Sequence, residues 1–245
     1  MIGRFVKSGL RHFGYDITKY PLPDWYLLRA GLSELFASLQ INCIIDVGAN
    51  HGQYGDFLRR IGYRGSIVSF EPVSTSFKLL SERSKDDHAW HVYNLAVGSS
   101  SQMLDINITN SSDFSSLLPV SSYGSSQFAK AAAVTRTEQV HVVRLDSMID
   151  EITKGTKEPR IYLKTDTQGY DLQVLEGASG CLQLILGLQS EIALKPIYEG
   201  MPDYLASLAK LNALGFSITS LIPVTRDENL RVVEFDCLMV RDSHN

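Results

Sequence analysis

The residues Asp46-Val47-Gly48-Ala49-Asn50-His51-Gly52 close an apolar run, Cys43-Ile44-Ile45, and open a stretch with helical spacing. Glycines at such a strand-to-helix turn let a ligand approach the backbone without meeting a Cβ. In a doubly wound sheet, ligands lie outside the carboxyl ends of the strands, where this turn would sit. A dinucleotide fingerprint, G-x-G-x-x-G, uses its second glycine to admit the pyrophosphate, and Asn50 stands at that position here. Asp46 also sets a carboxylate beside the loop, which disfavours a phosphate and favours a cation. S-adenosylmethionine carries a sulfonium and an ammonium, and Asp46 could serve the ammonium directly or through water. Gly48, Ala49, Asn50, Gly52 and Tyr54 are the candidate contacts on this loop and the helix after it.

Three more strand ends carry chemistry. Glu71-Pro72 follows the run Ser66 to Phe70, and a carboxylate there can accept hydrogen bonds from both hydroxyls of a ribose. Asn94, Ala96 and Val97 end the next strand, on the edge that would face an adenine. Lys164-Thr165-Asp166-Thr167-Gln168-Gly169-Tyr170-Asp171 ends a fourth. Asp166 would lie at the switch point of the sheet, beside a transferable methyl, and is the first candidate to orient or deprotonate an acceptor hydroxyl. Its competing role is to cap the helix that follows, as Thr167 could. Glu191, at the end of the next strand, is a second carboxylate candidate. His51 has the right chemistry for a general base but stands alone in its loop. Asp46, Asp166, Glu191 and His51 lack the spacing of a metal site, so no metal is expected.

These residues need a frame of alternating elements. Leu28, Leu32, Leu35 and Leu39 mark a helix from Asp24 to Leu39, and Tyr54, Phe57, Leu58 and Ile61 mark one that stops at Gly62. Strands are expected at 43–47, 66–70, 91–97, 104–108, 139–143, 161–165 and 184–191, with a helix over 74–84 begun by a capping hydroxyl. A helix from Tyr170 to Gly177 and beyond carries Leu172, Leu175 and Ala178. A later one carries Tyr204, Leu208 and Leu211, and a hairpin of 216–221 with 235–240 closes the chain. Strands separated by helices mean βαβ units and a mostly parallel sheet. Residues 109–137 are crowded with serine and read as a structureless insertion or lid loop. The first 24 residues read as an arm: Val6, Leu10 and Phe13 share a face, among Arg4, Lys7, Arg11 and His12. It would pack on the domain or on a second subunit as a homodimer, or touch a membrane surface. Tyr20-Pro21-Leu22-Pro23 links it to a single domain, 25–245.

Composition agrees with such a domain. Of the 245 residues, 44% are apolar and 20% charged, as in ordinary globular chains. The net charge of −4 argues against a nucleic-acid partner, which usually demands a basic surplus. Cys43, Cys181 and Cys237 are an odd number without paired spacing, which reads as buried thiols in the cytoplasm. No run of apolar residues is long enough for a transmembrane helix.

Taken together, Ile45 to Tyr54, Phe70-Glu71-Pro72, Val143-Arg144-Leu145-Asp146-Ser147, and Leu163 to Asp171 with Leu175-Glu176-Gly177 resemble the FkbM family of S-adenosylmethionine-dependent methyltransferases. The resemblance spans roughly residues 42–240. It implies a Rossmann-like class I methyltransferase fold, with a mostly parallel seven-stranded sheet, helices on both faces and a terminal antiparallel strand. It also implies O-methylation, with S-adenosylmethionine as donor, S-adenosylhomocysteine as product, and a sugar, glycan or natural product as acceptor. By position, Asp46, Gly48, Asn50 and Glu71 resemble cofactor contacts, and Lys164 and Asp166 resemble the family's fourth-strand signature. Residues 113–117 resemble a loop that closes over the site. Where the family usually has glutamate before the glycine of that signature, this chain has Gln168. A cofactor-binding module without catalysis and a nicotinamide oxidoreductase remain the alternatives.

Overall fold

The computed structural model describes residues 25–242; the N-terminal arm expected over 1–24 lies outside the described residues. Ten strands follow in order: β1 (Cys43–Val47), β2 (Ser66–Phe70), β3 (Trp90–Tyr93), β4 (Ala96–Val97), β5 (Gln102–Thr109), β6 (Val134–Val143), β7 (Ile161–Thr165), β8 (Ile185–Ala193), β9 (Phe216–Arg226) and β10 (Val232–Arg241). The helices are α1 (Trp25–Ser38), α2 (Gln53–Ile61), α3 (Ser74–Ser84), α4 (Ser122–Gln127), α5 (Leu145–Ile152), α6 (Asp171–Gly177) and α7 (Tyr204–Ala213).

Seven strands form one sheet in the order β3-β2-β1-β7-β8-β10-β9. The pairs from β3 to β8 are parallel, and β10 runs antiparallel to both β8 and β9. This is the doubly wound sheet with an antiparallel close that the resemblance implies. β1 and β7 are buried at every position, as strands covered on both faces must be. Leu32, Leu35, Leu58 and Leu80 bring α1, α2 and α3 against one face, around Ile44, Ile67 and Tyr162. Leu145, Val174, Leu175 and Leu211 bring α5, α6 and α7 against the other, around Ile45, Val68 and Leu163. All three cysteines are buried and free. Among the described residues no helix is long and apolar enough to cross a membrane.

Three local expectations are corrected. The strand read over 91–97 stops at Tyr93. Asn94 donates its side-chain amide to the carbonyls of Glu71 and Pro72, each at 2.9 Å, and the chain then leaves the main sheet. Ala96 and Val97 pair instead with Val142 and Val143, in a second, three-stranded sheet of order β4-β6-β5. The serine-rich stretch is not structureless either. It contains a 3-10 turn, Ser112–Phe114, and α4, whose N-cap Ser121 accepts from the Gly124 N–H. Phe114, Leu118, Val120, Tyr123 and Phe128 pack it onto Ile197, Tyr198 and Val233. These aromatic and aliphatic anchors are spread thinly among the serines, so composition concealed them. Finally, Ser74 does not cap α3. Its N–H and hydroxyl both donate to the Glu138 carboxylate of β6, which places an anion at the helix N-terminus.

Candidate active site

Parallel register lays polar side chains in a row across an otherwise apolar sheet face. Ser69 pairs with Asp46, Asp46 with Lys164, and Lys164 with Gln189. Asp46 is fully buried, and Lys164 and Gln189 nearly so. Lys164 Nζ lies 3.1 Å from Asp46 Oδ1 and 3.2 Å from Asp166 Oδ2. Tyr54 of α2 covers the row, its ring centroid 5.0 Å from Lys164 Nζ and its hydroxyl donating to Gln189 Oε1 at 2.8 Å. Burial works against the Lys164 ammonium, but Asp166 and Asp46 outweigh it and hold its pKa above the ordinary lysine value. Burial likewise raises the Asp46 carboxyl, and Lys164 pulls it back.

Beyond this row, at the carboxyl ends of the parallel strands, a cavity of about 430 Å³ opens. Its floor is the glycine loop. Gly48, at φ 82°, could not become alanine without a shift, since a Cβ would stand 2.0 Å from the Asp166 carbonyl oxygen. Asn50 fills the second-glycine position with a left-handed φ of 48°, which asparagine tolerates better than most residues. Three of the loop's donors are turned inward: the N–H groups of Gly48 and Ala49 go to the Phe70 carbonyl, and that of Asn50 to Glu71 Oε2 at 2.8 Å. A pyrophosphate would find these three donors taken and an acidic wall beside them.

Glu71 accepts from the Asn50 and Val73 backbones, one on each oxygen, and each oxygen keeps further acceptor capacity. Burial pushes its carboxyl up to about 7, against the lowering effect of those two N–H groups. Pro72, Leu95, Ala96 and Ile106 continue the wall as an apolar slot. Asn50 Oδ1 is a buried acceptor without a partner, on a residue that lines the cavity. A carboxylate for two ribose hydroxyls, an apolar slot for a base and an unmet acceptor, Asn50 Oδ1, for an ammonium fit S-adenosylmethionine. When bound, that group supplies an electrophilic methyl on a cationic sulfur.

A ligand held through ribose donors needs Glu71 ionised, so binding should expel its proton and strengthen as pH rises. S-adenosylhomocysteine affinity is expected to be about tenfold weaker at about pH 6 than at about pH 8. Calorimetric titration across that range checks it, and a flat profile would separate Glu71 from the ribose.

Of the residues expected from sequence, Gly48, Ala49, Asn50, Tyr54, Glu71, Pro72, Ala96, Lys164, Asp166 and Glu191 all line the cavity. Asp46 does not. It is sealed beneath Lys164 and Ser69, so it holds Lys164 rather than meeting a ligand. Gly52, at φ 83°, begins α2 and makes room for Leu80 and Trp90. Asn94 ties Glu71 and Pro72 from behind. His51, in the same loop as Asn50, is not among the residues that line the cavity. Asp166 does not cap α6: the N-cap there is Tyr170, and Asp166 takes Lys164 and the Gln168 amide instead. Gln168 Nε2 donates both to Asp166 Oδ1 (2.9 Å) and to Glu191 Oε2 (3.0 Å), while its Oε1 accepts from the Tyr198 hydroxyl (2.7 Å). An amide thus satisfies two carboxylates where a glutamate would have been a third. Among the described residues no group of His, Cys, Asp and Glu is arranged to hold a metal ion.

Sequence reading missed Asp236 and Gln189, which also line the cavity, as does Asp113 of the loop expected to close over the site. Asp236 and Gln189 are polar residues inside apolar strands, which is itself a signal. Asp113 Oδ1 accepts from Asn50 Nδ2 at 2.6 Å and brings the insertion to the glycine loop.

Solved structures of similar fold include an rRNA methylase from Streptococcus thermophilus, at 10% identity and a TM-score of 0.48, over 92% of this chain and 100% of that one. A precorrin-6y C5,15-methyltransferase from Geobacter metallireducens matches at 9% and 0.45, over 93% and 94%. Aeropyrum pernix fibrillarin with bound S-adenosyl-L-methionine matches at 11% and 0.45, over 81% and 66%. No curated protein matches the sequence significantly. The methyltransferase FkbM domain, however, matches residues 46–218, from the glycine loop to the closing hairpin. The chain therefore belongs to the FkbM methyltransferase family, with S-adenosylmethionine as its methyl donor.

Proposed function

We propose that this methyltransferase acts on a hydroxyl of a small hydroxylated acceptor, a sugar, a glycan unit or a natural product. The observation that supports this reading is the carboxylate wall of Asp166, Glu191 and Asp236, lining the same cavity as the cofactor residues. A hydroxyl becomes a competent nucleophile only as it loses its proton, so it needs an acceptor for that proton. The acidic wall and the net charge of −4 favour a neutral acceptor over a polyanion such as RNA. In this reading Asp166 accepts a hydrogen bond from the acceptor hydroxyl and aims it at the methyl, and most of the acceleration comes from that alignment. Residues 25–245 form one catalytic domain, preceded by an arm, 1–24, and working in the cytoplasm.

The experiment is a panel of hydroxylated acceptors and RNA, read by release of S-adenosylhomocysteine. Turnover on hydroxylated small molecules or glycans is expected. Transfer to RNA alone would overturn the acceptor class, and cofactor binding with no transfer to any acceptor would favour a non-catalytic binding module. On a working acceptor, Asp166→Asn should lower turnover by about 10²–10³-fold, with S-adenosylhomocysteine affinity within a few-fold of wild type. Unchanged turnover would take Asp166 out of the mechanism.

A further inference from the structure

The proton that an acceptor hydroxyl loses needs a destination. Asp166 is a poor one, because Lys164 lies 3.2 Å from one of its oxygens and the Gln168 amide donates to the other. Two carboxyl groups further along the same wall are placed differently. Asp236 of β10 stands directly opposite Glu191 of β8. Side chains so opposed share a face of the sheet, with Cβ atoms about 4.5–5.5 Å apart. Both line the cavity. Their neutral partners are amides: Gln168 Nε2 on Glu191, and the Gln189 side chain on Asp236.

Two carboxylates this close do not both ionise readily. The surroundings add to the effect. Asp166, just past β7, and Asp171, at the start of α6, press on both carboxyls, Glu234 on β10 presses on Glu191, and Lys164 offsets them at Asp236. Burial and these neighbours push Asp236 up to about 6 and hold Glu191 well above the usual carboxylate range. In the ligand-free protein these surroundings disfavour the doubly ionised pair.

We propose that Asp236 and Glu191 act as one proton-sharing pair whose charge follows that of the methyl donor, giving up a proton when a sulfonium enters the cavity and taking one from the acceptor when the methyl leaves. The inference rests on the hydroxyl-methylation reading. The S–CH₃ bond breaks and its electron pair stays on sulfur; the O–CH₃ bond forms; the hydroxyl proton passes to the carboxylate. One cation and one carboxylate become a neutral thioether and a neutral carboxyl, so no net charge is left in a buried site.

The test needs no acceptor. S-adenosylmethionine and S-adenosylhomocysteine share the ribose that meets Glu71, and at about pH 6.5 both carry a protonated amine, so their binding differs chiefly in the sulfonium charge. Calorimetric titrations of the purified protein in two buffers of different ionisation enthalpy count the protons released. S-adenosylmethionine is expected to release about half a proton to one proton more than S-adenosylhomocysteine. Asp236→Asn, which keeps a partner for Gln189, and Glu191→Gln should each shrink that difference to about a quarter or less, with circular dichroism and melting temperature reporting that the variants are folded. Equal proton counts for the two ligands in the wild-type protein would overturn the proposal. So would a difference that survives both substitutions. An enzyme that methylates only RNA would still show the proton difference, so failure of the acceptor class and failure of the pair are read separately.

Discussion

Replacing Glu71 with alanine is expected to weaken S-adenosylhomocysteine binding by at least about 100-fold while leaving the protein folded. Hydrogen bonds to a charged group contribute about 1.5–3 kcal/mol each, and every 1.4 kcal/mol is about tenfold in affinity. Two bonds to a ribose therefore account for roughly that loss or more. The substitution also strips the acceptor from the Asn50 and Val73 N–H groups, which loosens the glycine loop at Asn50. Glu71→Gln should fall between the two, because its amide retains one acceptor oxygen. Calorimetric titration with S-adenosylhomocysteine and, in parallel, NAD⁺ measures the effect. Full affinity in Glu71→Ala would mean that the ribose is held elsewhere, and binding of NAD⁺ would contradict the inward-turned loop.

Lys164→Ala should be the most destabilising single change in the site. Asp46 has no solvent exposure, and Lys164 is the cation that compensates it. Breaking a buried pair from one side costs about 3–5 kcal/mol, because the other charge stays behind. For a chain of this size that lowers the melting temperature by roughly 10 °C. The pH dependence has a definite sign. The folded-state pKa of Asp46 is already raised by burial above the ordinary carboxylate value of 3.8, and losing Lys164 raises it further. The folded protein then binds more protons than the unfolded chain over the window between those two values. The variant should therefore be most stable below the unfolded pKa of Asp46 and lose that stability as pH rises through the folded one. Lys164→Met combined with Asp46→Asn should recover more than half of the loss, because neither residue then leaves a buried charge. Urea unfolding of the single and double variants measures both. A double variant no better than the single one would mean that Lys164 acts through Asp166 or Tyr54 instead.

Much of the scaffold was legible in the chain. The apolar runs at 43–47, 66–70 and 161–165 became buried parallel strands at those positions, and 74–84 became a helix with those bounds. Gly48, Asn50, Glu71, Asp166 and Glu191 were found because a carboxyl end of a parallel strand is where ligands meet such a sheet, and strand ends can be read from short runs. The inward-facing acid on β10 was passed over because that strand runs antiparallel, so Asp236 sits inside it rather than at a terminus that marks it.

By itself, then, the sequence determined the alternation of elements, the glycine loop and the carboxylates Glu71, Asp166 and Glu191 near three strand ends. These depend on residues a few places apart, where periodicity and turn chemistry act. Only the tertiary structure decided that Asp46 faces Lys164 and not the ligand, that Glu191 faces Asp236, that Ala96 and Val97 leave the main sheet, and that Asp113 reaches Asn50. Each of those facts is a pairing register or a packing contact between residues far apart in the chain. Register is set by how whole strands bury their faces against one another, and a shift of one residue would send every one of these side chains to the opposite face.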